Sequence, residues 1–405
     1  MADKSVDTIF FADKLKKFRA ARPFDATLLA AVLAITGIGL YHFNLAIQTY
    51  PSSISETAAT RQIVSVALGV VIALALSSVD NRYFRVPSYF AYIASVILLI
   101  VVYMVGSGDE SGVRRWLTLP IIGMFQPSEI AKVSFAIISA VFLERISLRQ
   151  AKKIDFAKLA FYAALPVAFV LVGRDLGTAL VFLFIFASMV FVSGLKYRYV
   201  LAAVAAALAA LPFAWFFVLS PFQKMRILVM LNPGLDPTNA GYQILQSLNA
   251  IGAGQLFGAG IASPAQSRFS RVPARANDFL FSVIAENLGF FGAAAMILLY
   301  VFVLLRGYHI AATARDRFGS YMSAGLTSML AIHVIENIGM CIGIMPISGI
   351  PLPFASQGGT AMIANYAAIG ILLSVSMARA RPRRDGSQGD AESRSYHPAV
   401  IKSIP

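Results

Sequence analysis

The sequence has 405 residues, of which 58% are hydrophobic and 13% are charged, and its mean hydropathy is +0.71. Soluble domains carry about 25% charged residues, and a soluble chain this apolar could not cover its surface with polar groups. The composition excludes a cytosolic enzyme, a secreted domain and a fibrous protein, and it predicts a multi-pass membrane protein. The single cysteine, Cys341, excludes an intrachain disulfide and a cysteine-based metal cluster.

Ten segments are long and apolar enough, or nearly so, to cross a bilayer as helices, which takes about 20 residues each. The second and sixth are short, and almost nothing separates the fifth from the sixth. The predicted spans are 25–47, 62–79, 86–106, 127–145, 155–173, 176–194, 198–219, 279–305, 321–345 and 360–378. The predicted fold is an all-α polytopic membrane protein with about ten transmembrane helices, in a membrane domain over residues 25–378.

The distribution of Lys and Arg predicts the orientation of these spans. With both termini in the cytoplasm, 23 of the 34 basic residues lie inside, nine lie outside and two fall within spans. This bias follows the positive-inside rule and explains most of the net charge of +14 without nucleic acid binding. Residues 1–24 are then a basic cytoplasmic tail without a signal-peptide cleavage pattern, and residues 379–405 are a basic, disordered cytoplasmic tail.

The large outer loop between the seventh and eighth spans, residues 220–278, opposes this rule. It carries five of the nine outer basic residues and only two acids, Asp236 and Asp278. Such a loop either binds an anionic ligand, such as a phosphate or pyrophosphate, or touches anionic lipid headgroups, and charge alone favours neither. Apolar and polar residues at helical spacing over 241–251 predict a helix in the membrane interface. The Gly-rich stretch 252–260 is predicted to be a re-entrant turn rather than a phosphate loop.

Ionisable residues within or beside spans are candidates for a functional site, because charge is unfavourable in a bilayer. Glu129 and Lys132 share one face of the fourth span, where they form either a structural ion pair or part of a site. Asp175, between the fifth and sixth spans, either caps a helix or points into a cavity. Glu286 lies two turns into the eighth span. Asp278 lies where the cationic loop meets that span, a suitable place for a general base that acts on a membrane-bound substrate.

The ninth span carries His333, Glu336 and Asn337 on one face, at i, i+3 and i+4 spacing. A histidine in such a position is more often a hydrogen-bonded structural residue than a proton relay. For His333 a structural role is therefore favoured over a proton relay.

Five stretches in order along the chain carry a family resemblance. They are RRWLTLPIIGMFQPSEIAKV (114–133), RDLGTA (174–179), KMRILVMLNPGLDPTNAGYQILQS (224–247), NDFLFSVIAENLGFFG (277–292) and ENIGMCIGIMPISGIPLPFASQGGT (336–360). Together they resemble the SEDS family of bacterial cell-wall proteins, which includes RodA, FtsW and SpoVE, and the ten-span layout matches. The stretches NIGM and SGIPLPF are more similar to the RodA branch. The sequence departs from the family pattern at Ala276–Asn277, Arg174 and Gln357.

The resemblance implies a peptidoglycan glycosyltransferase of the bacterial plasma membrane that serves cell elongation and shape. Such an enzyme polymerises lipid II, a disaccharide-pentapeptide on undecaprenyl pyrophosphate, into β-1,4-linked glycan at the outer membrane face. An α-linked donor and a β-linked product imply inversion in one displacement, without a covalent enzyme intermediate. The resemblance also implies a partner, a class B penicillin-binding protein that crosslinks the product.

The resemblance further implies roles for particular residues. The essential aspartate of the family falls on Asp278, which would act as the general base. Substrate-binding candidates at family motifs are Arg115, Trp116, Glu129, Lys132 and Asp175, and Glu286 is added because it is intramembrane. Candidate cations for the leaving pyrophosphate are Lys224, Arg226, Arg268, Arg271 and Arg275, of which the motif favours the first two.

The sequence contains no dedicated metal-ligand cluster and identifies no cofactor. A divalent cation, Mg²⁺ or Mn²⁺, that bridges a pyrophosphate and one carboxylate would need no motif. The alternative function is a lipid II flippase or another polytopic transporter, which explains the intramembrane charges equally well. It explains the outer cationic loop less well, and the chain lacks the inverted repeats that transporters often have.

Overall fold

The computed structural model is a helical bundle with one small sheet. Its helices are α1 (Ala26–Ile47), α2 (Ser52–Ser78), α3 (Arg85–Val105), α4 (Pro127–Arg145), α5 (Lys153–Val172), α6 (Leu176–Val192), α7 (Pro221–Leu231), α8 (Ala240–Ala253), α9 (Leu280–Ala312), α10 (Arg317–Cys341) and α11 (Gly359–Ala378). Its strands are β1 (Ser107–Gly108), β2 (Arg114–Leu119) and β3 (Gly123–Phe125). The structure describes residues 24–47, 52–108, 114–119, 123–150, 152–194, 205, 209, 212, 214–260 and 276–378.

Nine of the ten predicted spans correspond to helices in the described part of the chain. Seven of these helices are long and apolar enough to cross a membrane, namely α1, α2, α3, α5, α9, α10 and α11. Helix α4 has the predicted bounds of the fourth span, and α6 is a shorter apolar helix at the sixth. Most of the predicted seventh span lies outside the described residues, as do residues 1–23 and the tail 379–405.

The ends of several helices differ from the predicted spans. Helix α2 begins at Ser52 rather than at residue 62, and α9 continues to Ala312 rather than ending at 305. Helix α10 is shifted towards the N-terminus, at 317–341 rather than 321–345. Hydropathy marks the part of a helix that lies in the apolar layer, whereas backbone hydrogen bonding continues into flanking polar residues.

The centre of the bundle contains its more polar helices. In both α10 and α11, 89% of the membrane-spanning window is buried, compared with 22% in α9, which is more apolar. Lipid tails already solvate apolar side chains, so polar side chains are placed inside, where they find partners. Helix α10 packs against α4, α6 and α9, and α11 packs along α2. A Cβ at Gly370 would lie 2.5 Å from the backbone oxygen of Ala73, so glycine permits this close approach.

The small sheet between α3 and α4 was not anticipated from the sequence. Strand β2 pairs antiparallel with both β1 and β3, with Leu117 opposite Phe125 in the second pair. Strands β1 and β3 have only two and three residues, and the six residues of β2, RRWLTL, do not alternate strictly between polar and apolar. The sheet is an addition to an otherwise helical fold, and it carries Arg115 and Trp116.

The outer loop contains two helices, α7 and α8. Helix α7 begins at a capping box, in which Ser220 Oγ accepts from the backbone of Gln223 and Gln223 Oε1 accepts from the backbone of Ser220. Helix α8 confirms the helix predicted over 241–251. Leu245 is exposed on it, but Ser247, on the predicted polar face, is fully buried and within hydrogen-bonding distance of Ser282. Part of the polar face is therefore docked on α9 instead of facing water.

Ion pairs connect the helices at the end of the bundle opposite the sheet. Arg306 near the end of α9 pairs with Asp25 just before α1. Arg85 at the start of α3 lies 2.8 Å from Glu144 of α4 and 3.9 Å from Asp316 just before α10. This end is the predicted cytoplasmic side, and acidic partners hold some of its basic residues in place.

Candidate active site

A cavity of about 100 Å³ opens where the junction of α5 and α6 meets α7, α10 and the loop after α10. Its lining combines three guanidinium groups and two carboxylates with apolar walls. The charged residues are Arg115, Arg174, Asp175, Arg226 and Glu336. Three of these, Arg115, Asp175 and Arg226, are site residues that the sequence predicted, and they come from separate elements of the fold.

Strand β2 places Arg115 in the cavity wall. Successive side chains of a strand point to opposite sides, so Arg115 lines the cavity whereas Trp116 is not among the lining residues. Arg115 Nη1 donates to the backbone oxygen of Ser348 at 3.3 Å, and Arg115 Nε lies 3.8 Å from Asp175 Oδ2. The two side chains are only 12% and 7% exposed, so solvent screens their attraction weakly.

Asp175 has both of the alternative roles that the sequence left open. It is the N-cap of α6, where Oδ1 accepts from the backbone N–H of Thr178 at 3.2 Å and Oδ2 accepts from Thr178 Oγ1 at 2.9 Å. It also lines the cavity beside Arg115. The preceding residue, Arg174, has a φ of 63°, in the left-handed region that non-glycine residues rarely adopt. This residue makes the sharp turn between α5 and α6.

Asp278 lies two residues before α9 and is not itself among the residues that line the cavity, but its side chain lies close to one of them, Arg115. A Cβ at Gly349 would lie 3.1 Å from Arg115 Nη1 and 3.7 Å from Asp278 Oδ2, so both side chains approach the same point. Gly349 has a φ of 71°, which glycine adopts without strain. The N-cap of α9 is Phe279, so Asp278 is one residue outside the helix and is not its capping residue. The geometry therefore does not support a capping role for Asp278.

The electrostatic environment of Asp278 combines two opposing effects. Burial of the carboxylate raises its pKa, and the positive charges of Arg115 and Arg226 lower it, with a result of about 6. The group is thus ionised at neutral pH while remaining basic enough to accept a proton. A general base is most effective when its pKa is close to the working pH.

Helix α7 brings one of its two predicted cations to the cavity. Gln223 Nε2 donates to the backbone oxygen of Arg174 at 2.8 Å and so docks α7 on the α5–α6 turn. Arg226 Nη1 donates to the backbone oxygen of Ile347 at 3.1 Å and lines the cavity. Lys224 is two positions away on the same helix and therefore faces a different direction. It does not line the cavity.

Glu129 and Lys132 form the ion pair that was one of their two predicted alternatives. Lys132 Nζ donates to Glu129 Oε1 at 2.8 Å and lies 2.8 Å from His333 Nε2. Lys132 is fully buried and Glu129 is 3% exposed. The pair links α4 to α10 behind the cavity rather than lining it. His333 is therefore hydrogen-bonded, as the structural alternative requires.

Glu336 is the cavity residue that the sequence analysis left without a site role. It follows His333 by almost one turn of α10. Among the described residues its carboxylate oxygens make no hydrogen bond of normal geometry, although the Ser348 hydroxyl lies close enough to interact with them. It is 3% exposed and lines the cavity. The sequence did contain a sign of this residue, namely the polar face of the ninth span. That pattern marks a buried polar face, but it does not say which of its members reaches a cavity.

One further predicted residue, Glu286, is not at the cavity, and three predicted cations lie outside the described residues. Glu286 is buried in α9, where its backbone oxygen accepts from Ala259 at 2.9 Å, and it is absent from the cavity lining. Arg275 lies outside the described residues, together with Arg268 and Arg271. Across the described ranges, no group of three or more His, Cys, Asp or Glu side chains is arranged to hold a metal ion.

Comparisons with known proteins agree on one family for this chain. A family model described as a cell cycle protein, for FtsW, RodA and SpoVE, matches residues 25–381. The chain is 37% identical over 316 residues to the peptidoglycan glycosyltransferase MrdB of Escherichia coli (strain K12), covering 78% of this chain and 84% of that protein. It is 30% identical to the peptidoglycan glycosyltransferase RodA of Treponema pallidum (strain Nichols), covering 89% of this chain and 99% of that protein.

Solved structures are similar over the same length. A chain from a peptidoglycan synthase complex, studied for the coordination of polymerization and crosslinking, aligns with a TM-score of 0.74 at 31% identity, over 88% of this chain and 98% of that chain. The rod shape determining protein RodA of Thermus thermophilus aligns with a TM-score of 0.65 at 28% identity, over 89% of this chain and 99% of that chain.

The fold and the site define a polytopic, all-helical membrane protein whose central helices border a cation-lined cavity. Its topology is consistent with the ten transmembrane helices of the RodA structures. The chain belongs to the SEDS family of FtsW, RodA and SpoVE.

Proposed function

We propose that this protein is a peptidoglycan glycosyltransferase that polymerises lipid II into β-1,4-linked glycan for cell elongation, with Asp278 as its general base. The observation that carries the proposal is the convergence of Asp278 and Arg115 on Gly349, which follows Ser348 of the cavity lining. Asp278 supplies the base, and the arginines of the cavity supply positive charge for a leaving group. A glycosyl transfer from a lipid pyrophosphate needs both.

The reaction joins an acceptor hydroxyl to the anomeric carbon of the donor sugar. The acceptor oxygen forms the new glycosidic bond while the bond from the anomeric carbon to the pyrophosphate oxygen breaks. Asp278 takes the proton of the acceptor hydroxyl, and the pyrophosphate leaves with the electron pair of the broken bond. Attack opposite the leaving group converts an α-linked donor into a β-linked product in a single displacement.

The positive charges of the cavity stabilise the leaving group as its negative charge grows. Arg115, Arg174 and Arg226 line one space, and guanidinium groups bind phosphate oxygens through paired N–H donors. Asp175 and Glu336 are the carboxylates of this lining and would contact a divalent cation bound to the pyrophosphate. Such an ion would neutralise part of the leaving-group charge. Glu336 suits this role because its carboxylate is buried in the cavity wall, where among the described residues its oxygens make no hydrogen bond of normal geometry.

The proposal also includes a place and a partner. We place the cavity at the outer face of the bacterial plasma membrane, because the positive-inside bias puts the α7–α8 loop on that side. The related synthase complex supports a crosslinking partner. We propose that this partner is a class B penicillin-binding protein, which uses the glycan strand as it emerges.

The experiment is a polymerisation assay with purified full-length protein, its co-purified partner and lipid II in detergent. A partner inactivated in its transpeptidase site keeps the products uncrosslinked. We expect a ladder of glycan strands that a muramidase digests to disaccharide units. A flippase would need two membrane leaflets and would make no polymer in a micelle. Unchanged lipid II, with the protein folded and the partner bound, would overturn the proposed activity.

A further inference from the structure

An apolar groove runs between α5 and α6, outside the cavity described above. Its volume is about 560 Å³, and all its lining side chains are apolar. One wall is formed by Ala160, Ala164 and Ala168, which are exposed at successive turns of α5, and the other by residues of α6, including Phe182 and Phe186. Small side chains on α5 leave the space between the helices unfilled.

The end of the groove at the turn between α5 and α6 meets the cationic cavity. Leu171 lines the groove, and Arg174, three positions later, lines the cavity. On the other helix, Leu180 lines the cavity and Leu183, three positions later, lines the groove. Residues three apart on a helix are neighbours, so the two spaces adjoin along α6. They also adjoin at the α5–α6 turn, where the backbone N–H of Arg174 donates to the backbone oxygen of Leu171 at 2.9 Å.

We infer that this groove holds the polyisoprenoid chain of the lipid substrate while the cavity holds its pyrophosphate. The inference rests on the proposed function and adds to it the site of the lipid chain. A ligand that fits both spaces has a multiply anionic head and a single long apolar chain. The helical rise of about 1.5 Å per residue makes the groove about 22 Å long between Phe156 and Leu171, so it suits an extended chain.

Charge complementarity selects this occupant over a protein helix. A transmembrane helix seated in the groove would fill the apolar part and leave the adjoining arginines without an anionic partner. An ordinary phospholipid has a single phosphate and two chains, whereas the groove is one channel beside Arg115, Arg174 and Arg226. A polyprenyl pyrophosphate satisfies both spaces with one molecule.

The groove is expected to orient the chain more than to add affinity. An isoprenoid chain already lies among lipid tails, so entering the groove exchanges one apolar environment for another. The gain comes from packing, and its effect is to fix the direction in which the pyrophosphate enters the cavity. Filling the groove should therefore weaken the use of long-chain substrate moderately and leave the catalytic groups intact.

The test uses Ala164→Phe and Ala168→Phe in the full-length protein with its partner. Both alanines are exposed, so the larger ring enters the groove without entering the packed core. Ala91→Phe, at an exposed alanine of α3, is the matched control. KM is measured with undecaprenyl lipid II and with an analogue whose chain is cut to a few isoprene units. We expect the groove variants to raise KM about threefold to tenfold for the long chain only.

A second measurement identifies the occupant directly. A photoreactive amino acid at position 164 should crosslink to undecaprenyl lipid II, and excess phospholipid should not compete. Crosslinks to the partner or to residues 198–219 in place of the lipid would overturn the inference, and so would an unchanged KM in both groove variants. If the unsubstituted protein makes no polymer while lipid II still crosslinks at position 164, the proposed activity fails and the lipid site stands.

Discussion

Asn337 donates from Nδ2 to the backbone oxygen of Asp278 at 2.7 Å. The same amide nitrogen donates to the backbone oxygen of Ile350 at 2.8 Å. One buried amide on α10 therefore fixes both the residue before α9 and the loop that carries Gly349. This contact sets the position of the proposed base relative to Arg115.

Replacing Asn337 by alanine should lower both the stability of the protein and its rate of polymerisation. Each carbonyl left without its buried donor costs about 1–3 kcal/mol, so Asn337→Ala should lower the melting temperature in detergent. The rate of polymerisation should fall as well, because Asp278 loses its anchor. Asn249→Ala, at an exposed position of α8, should change neither quantity. Equal melting temperatures for Asn337→Ala and the parent protein would show that the two bonds contribute little.

Asp278→Asn should abolish polymerisation without unfolding the protein. A neutral amide has nearly the same shape but cannot take a proton, and losing a general base typically lowers the rate by about 10²–10⁴-fold. Lipid II should still bind, because the arginines of the cavity are unchanged. The control is Asp236→Asn, at the other acid of the outer loop, which should polymerise normally. Activity within a few-fold of the parent protein would transfer the proposed base to Asp175 or Glu336, the two carboxylates that line the cavity.

The pH dependence should report the ionisation of the same carboxylate. The base works only when deprotonated, so a pKa of about 6 predicts that kcat/KM falls about tenfold per pH unit below that value. The positive charge of Arg115 lowers this pKa. Arg115→Gln should therefore shift the fall of kcat/KM on the acidic side of the pH profile to higher pH. Arg61→Gln, at an exposed residue of α2, should leave it in place. A fall that stays at the same pH in Arg115→Gln would contradict the assignment to Asp278.

The buried pair Glu129–Lys132 should behave as a coupled unit in stability measurements. Lys132→Met leaves a buried carboxylate without its cation, which is expected to cost about 3–5 kcal/mol of unfolding free energy. Glu129→Gln together with Lys132→Met should recover much of that loss. Denaturant unfolding of the two single variants and the double variant measures the coupling. If the double variant refolds well and still polymerises, the pair is structural; if the losses simply add, the pair contributes no coupling energy.

The lipid-facing side of α9 should bind the single transmembrane helix of the proposed partner. Its stretch 289–295, GFFGAAA, is rich in small residues, and Phe290 and Phe291 are exposed beside it. Ala294→Phe should therefore reduce co-purification of the partner at matched expression, whereas Ala75→Phe on α2 should not. Gly292 is a poorer site for this test, because a Cβ there would lie 2.1 Å from Leu288 Cβ of the same helix. Equal recovery of the partner with both variants would exclude this face.

The sequence by itself determined the membrane class, the positions of most spans and the family motifs. Each of these depends on local composition or spacing: about 20 apolar residues suffice to mark a span, and the basic bias is counted loop by loop. The helix over 241–251 and the possible pairing of Glu129 with Lys132 were predictable for the same reason. Helical spacing alone places their side chains.

Only the tertiary structure decided which charged groups share the cavity. The sequence favoured Lys224 and Arg226 equally as cations for the leaving pyrophosphate. Positions two apart on a helix point in different directions, and the docking of α7 places Arg226 in the cavity lining. Arg115 and Trp116 are adjacent in β2, a strand whose residues do not alternate strictly between polar and apolar, and strand geometry puts only Arg115 in the lining. Glu336 reaches the cavity because α10 is buried between α4, α6 and α9. No local pattern encodes these choices, because each depends on how surfaces far apart in the sequence pack together.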